Sequence, residues 1–160
     1  MKKRIVSALS LAMLLGSAPL AVASHYRLPV ENLVNDAETS ALGKAGVATT
    51  AALLDQVAQV QSRQKLAAKT GLTFVRLSTL ASQVDLLRVS GLGPSMVLLL
   101  QAAGVKHTRD LKASSPADLR EKMRVANDVQ NLAPVIPQED VIRDWIAQAS
   151  QLPQVVEGLK

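Results

Sequence analysis

Leu87-Arg88-Val89-Ser90-Gly91-Leu92-Gly93-Pro94-Ser95-Met96 runs into the apolar stretch Val97 to Leu100 and then into Ala102-Ala103-Gly104-Val105. Two helices joined by a turn around Gly91 and Gly93 account for this order. Glycine at such a turn opens backbone conformations closed to residues with a Cβ, and lets another backbone or a phosphate come close. Pro94 suits the first helical position, where the N–H has no internal partner. The free amides of that helix start can face an anion. This is the outline of a helix-hairpin-helix.

The flanking sequence is helical throughout. Leu77, Leu80, Ala81, Val84 and Leu87 fall at helical spacing, as do Val141, Trp145, Ile146 and Ala149, and no stretch alternates as a strand would. Thr73, Thr49 or Thr50, and Ser115 before Pro116 are placed as N-caps, while Gly46, Gly71 and Gly104 stand where helices end. A last helix is expected over about 138–151, stopped by Pro153. Met96 to Leu100 would make a helix apolar all round, which is buried on every side or meets a partner.

Leu42 to Leu53 echoes Leu100 to Leu111, matching at Leu, Ala, Gly, Val, Thr and Leu. These are the residues a helix end needs: a packing Leu, a terminal Gly, a Val tucked back onto the core and a Thr to cap the next helix. At the same offset Gly91-Leu92-Gly93 corresponds to Leu33-Val34-Asn35, so the first copy has lost both glycines and reads as scaffold.

The start of the chain reads differently. Met1-Lys2-Lys3-Arg4, the apolar Ile5 to Leu15 and the small residues Ala21-Val22-Ala23 have the form of a secretory signal peptide over 1–23. Gly16 and Pro19 interrupt the apolar run well short of a membrane-spanning helix. Cleavage after Ala23 would place the mature protein in the periplasm or outside the cell, with no membrane span. The net charge of +5 falls with it: the signal holds three of the 18 cations, leaving 15 basic against 13 acidic residues. Cysteine is absent, which excludes disulfides, a thiolate metal site and a cysteine nucleophile.

The region from about Tyr26 to Leu152 resembles the bacterial family described as domain of unknown function 4332. The resemblance is carried by Ala45-Gly46-Val47 with Thr49 or Thr50, Leu66 to Leu72, Asp85 to Pro94, Ala102 to Val105, Ser115 to Leu119, and Val141 through Trp145-Ile146 to Ala149. It implies an all-helical fold of tandem helix-hairpin-helix units, a nucleic-acid- or protein-binding role, and no established activity. The chain departs from the wider hairpin pattern at Ser95 and Met96, where DNA-binding hairpins often carry Lys or Arg, and at Val97, where a small Ala is usual.

The expected architecture is therefore all-α: tandem helix-hairpin-helix units in one compact helical domain after the signal peptide. An extended linker at 24–30 leads to a degenerate first unit at about 31–72, an intact second unit at about 73–114, C-terminal helices over 115–152 and a tail at 153–160.

Candidate nucleic-acid contacts are Gly91, Leu92, Gly93 and Ser95 in the hairpin, with Lys106, Arg109 and Lys112 as the neighbouring cations. Residues 104–127, which also hold Arg120, Lys122 and Arg124, carry a net +3, whereas residues 128–160 carry −3. A basic face could meet duplex phosphates; the acidic last helix would repel them. Stacking on single strands needs exposed rings, and only Tyr26, Phe74 and Trp145 are aromatic, Trp145 within an apolar stripe. Two histidines, His25 and His107, form no nucleophile–base pairing, and neither catalysis, cofactor nor metal is expected. The function expected is that of an exported, non-catalytic binding protein for a protein partner or its own copy. The alternative is a double-stranded DNA binder acting through the Gly91-Leu92-Gly93 hairpin, for example in DNA uptake.

Overall fold

Asn35 sets the first helix. Its side chain accepts a hydrogen bond from Glu38 N at 2.9 Å, while its own N–H donates to Glu38 Oε2 at 3.1 Å. This reciprocal cap satisfies two amides that the helix start would otherwise leave open. Thr49 and Thr73 cap in the same sense, accepting from Ala52 N and Arg76 N, both at 3.1 Å. Ser115 occupies the cap position but makes no side-chain cap bond; Pro116 fills the first helical position after it.

The computed structural model describes residues 25–159, and the signal-peptide reading of 1–23 lies outside them. The described residues form eight helices: α1 (Asp36–Lys44), α2 (Thr50–Val57), α3 (Val60–Thr70), α4 (Phe74–Leu86), α5 (Pro94–Ala102), α6 (Thr108–Lys112), α7 (Pro116–Gln130) and α8 (Glu139–Gln151). Among the described residues there are isolated bridges but no strand. None of these helices is long and apolar enough to cross a membrane.

The internal echo is geometric as well as sequential. A shift of 58 residues carries the cap Asn35 onto Gly93, Thr49 onto His107, and the helix end Ala45 onto Ala103. Gly46 and Gly104 both take positive φ, +84° and +91°. Val47 N then bonds Leu42 O at 3.0 Å, as Val105 N bonds Leu100 O at 2.9 Å. The first copy also has a left-handed residue in its turn, Asn32 with φ 62°, one position before the Leu33 that answers Gly91.

Packing extends the repeat further than the fixed shift does. In the first half α1 meets α3 and α2 meets α4; in the second α5 meets α7 and α6 meets α8. The buried Leu77, Leu80 and Val84 of α4 are answered by Ile142, Trp145 and Ala149 of α8. The packing therefore groups four helices with four, and the Gly91–Gly93 turn lies between the groups. This differs from the expected division at about 72 and 114, because the spacing drifts from 58 to 65 residues across α7, which is longer than α3. Residues 25–30 are more than a linker: Tyr26 N donates to Thr50 Oγ1 at 3.0 Å, Thr50 N to Tyr26 O at 2.9 Å, and Leu28 N to Ala48 O at 3.0 Å. The 153–159 segment is likewise packed, with Val156 buried.

α1 and α4 are joined by an ion pair. Arg76 Nε lies 2.6 Å from Glu38 Oε1 and Arg76 Nη2 lies 2.9 Å from Oε2. The hydrogen bond from Arg76, helped by the Asn35 amide and the Arg76 charge, holds the Glu38 carboxyl below its ordinary range against the opposing effect of burial. A depressed carboxylate pKa stabilises the fold above the unfolded-chain value and loses that contribution as pH falls through the folded value. Glu38→Gln is expected to cost on the order of 1–3 kcal/mol at pH 7. In urea titrations at successive pH values, its stability curve should converge on that of the wild type in acid.

Candidate binding turn between the units

The turn after α4 is held from three sides. Leu87, Val89 and Leu92 are buried. At its entrance, buried Asp85 accepts from Thr108 N at 2.9 Å and Thr108 Oγ1 at 2.7 Å, and pairs with Arg88 at 2.7 Å. Arg88 Nη2 continues to Pro153 O at 3.0 Å. At its apex Gln148 of α8 grips the backbone: Ser90 N donates to Gln148 Oε1 at 2.8 Å, and Gln148 Nε2 donates to Ser90 O at 3.3 Å.

The two glycines differ in what requires them. Gly91 has φ +84°, where an L side chain is strained, and its Cβ would sit 3.5 Å from Trp145 Nε1. Gly93 has φ −88°, open to any residue, and the space where its Cβ would stand is empty. The chain's own packing therefore explains Gly91 and leaves room for a visitor at Gly93.

The other candidate contacts are not one cluster. Leu92 is buried, and its N–H is used within the turn, donating to Val89 O at 3.2 Å. Ser95 lies in the first turn of α5, whose N–H groups have no intrahelical acceptor. Lys106 follows the far end of α5, which its nine residues make roughly 13 Å long. Arg109 Nη2 contacts His107 Nε2 at 3.1 Å, and His107 Nδ1 lies 3.0 Å from Asp110 Oδ2. Lys112 is exposed at the end of α6.

Further along, Arg120 donates to Pro137 O at 3.2 Å. Arg124 is paired at 2.7 Å with both Glu121 and Asp128, and the Glu121 hydrogen bond leads in raising its pKa above the ordinary value. Asp140 and Asp144, exposed on α8, precede the Trp145 and Gln148 that cover the turn.

A second feature escaped the sequence reading. α7 buries Leu119 and Met123 but leaves Val125 50% and Val129 81% exposed. With Ala102, Ala103 and Ala126 they line an open groove of about 400 Å³, rimmed by Glu121 and Lys122. The signal was present: two valines four apart, off the buried face of an otherwise polar helix.

Among the described residues no group of three or more acidic or histidine side chains is placed to hold a metal. No curated protein and no solved structure matches the chain. One family does: the profile described as Domain of unknown function (DUF4332) matches residues 33–152, spanning α1 to the end of α8, and the chain belongs to that family.

Proposed function

We propose that this is an exported, non-catalytic binding protein of helix-hairpin-helix type, and that it associates through the α5–α7 groove with a second copy of itself. The observation that carries this is the exposed pair Val125 and Val129 beside Ala102 and Ala126. Contiguous apolar surface with a polar rim marks an interaction site. A two-fold interface must complement itself, and Glu121 and Lys122 put both signs of charge on the same rim. Equilibrium sedimentation of residues 24–160 should show a mass that rises with concentration. Val129→Glu is expected to weaken that association by about tenfold or more, since it places a charge in an apolar contact. A strict monomer throughout overturns the self-association.

The empty space at Gly93 favours a second reading, approach of a duplex phosphate to the start of α5. Fluorescence anisotropy of labelled duplex DNA decides it. Binding that falls steeply with salt and is lost in Gly93→Val supports DNA reception. Absence of binding even at low salt leaves the hairpin as scaffold. The acidic residues of α8 and the pairing of Arg124 favour the latter outcome.

A further inference from the structure

Arg63 is buried to 0% exposure at the fourth position of α3. The same position of α7 holds Leu119, so a charge stands where the second unit uses a hydrocarbon. Its hydrogen-bond partners are main-chain carbonyls: Nη1 donates to Val57 O and to Ala58 O, and Nη2 donates to Glu157 O. The last of these lies 94 residues away, in the segment that follows α8.

That segment crosses the molecule as a strap. Glu157 N donates to Ala58 O at 2.8 Å, and Arg88 holds Pro153 O at 3.0 Å. Val156 is buried, and Val155 and Leu159 pack partly against the core. Gly158 turns at φ +65°, and a Cβ there would meet Val60 Cγ2 at 2.8 Å.

Two arginines and one carbonyl thus read backbone groups of an extended peptide, while shallow apolar seats take its side chains. This is how grooves recognise extended segments. The seat is not completely filled. A cavity of about 50 Å³ remains between the strap and Asp85, His107, Thr108 and Arg109. Larger open cavities border it near Val75 to Ser82 and near Asp55 to Gln59. The family match ends at residue 152, immediately before the strap begins.

We propose that this groove is an extended-peptide site, filled in cis by residues 153–159 and able to take the same segment from a second copy. The backbone partners are identical whichever copy supplies the strap, so exchange leaves no buried group unpaired. The cis segment competes at the high effective concentration of a tethered ligand, of about millimolar order. A free peptide therefore binds weakly until the chain's own strap is loosened. The site is separate from the α7 face.

The test uses a fluorescein-labelled peptide of residues 152–159 and the full chain in three forms: wild type, Gly158→Val and Glu157→Pro. Gly158→Val closes the strap's own seat through its Cβ, and Glu157→Pro removes the N–H that Ala58 accepts; neither alters the groove. Both variants are expected to bind the peptide at least about tenfold tighter than wild type. A peptide carrying Gly158→Val should fail to bind, and Val129→Glu in the chain should change nothing. Equal or absent peptide binding in all three forms overturns the proposal. So does global unfolding of the strap variants, because the segment would then be core and not a replaceable ligand.

Discussion

Asp85→Ala is expected to lower stability by about 3–5 kcal/mol, the range for removing one member of a buried charge pair. The loss is concentrated because one carboxylate serves three donors: Thr108 N, Thr108 Oγ1 and Arg88. Without it the Arg88 guanidinium, whose side chain is 11% exposed, is left with a single carbonyl, that of Pro153. The start of α6 loses its anchor to α4 at the same time. Urea denaturation followed by circular dichroism measures the change. Asp85→Asn keeps an acceptor for Thr108 but leaves Arg88 just as unpaired, so it should recover only about 1–2 kcal/mol of this loss. Equal losses for Ala and Asn would show that the charge, and not the hydrogen-bond acceptor, is what the site needs.

Arg63→Ala is expected to cost about 3 kcal/mol or more, from a cavity left by a large side chain and from carbonyls stripped of their donor. Burial lowers the pKa of this guanidinium while the Glu157 carboxylate raises it, and arginine keeps its proton throughout the accessible pH range. The Phe74 ring 5.5 Å from Arg63 Cζ adds an electrostatic partner on one face. Arg63→Met separates the contributions. It restores most of the volume, and an apolar side chain is what the second unit uses at the equivalent place, Leu119. The global loss should fall to a fraction of that for Ala. Exchange of the Glu157 amide, by contrast, should accelerate as much in Met as in Ala, since both variants release the strap.

The fold was legible where local chemistry decides it. Thr49, Thr73 and the helix-ending Gly46, Gly71 and Gly104 act within a turn of their own positions, so their roles could be read directly. The echo between Leu42–Leu53 and Leu100–Leu111 was visible for the same reason. The grouping into four helices and four was not, because α3 and α7 differ in length and the matched spacing drifts after them. Nothing local announces that Gln148 grips Ser90 58 residues back, or that Arg63 and Glu157 meet across 94. The candidate turn was half legible. Its glycines stood out, but only packing separates Gly91, needed by the backbone beside Trp145, from Gly93, which faces open space.

A chain built of two similar halves can assemble wrongly from its own parts, α8 settling where α4 belongs. The Glu38–Arg76 pair bears on this. Moved by the repeat spacings of 58 and 65 residues, Glu38 falls on Met96 and Arg76 on Val141, so the second half is apolar where the first is charged. Seating α8 on α1 would press Val141 toward the Glu38 carboxylate and strand a charge without its cation, at a cost of several kcal/mol. Beyond the energy it contributes to the native fold, the ion pair works as an address: it tells two similarly placed helices which half of the molecule is theirs.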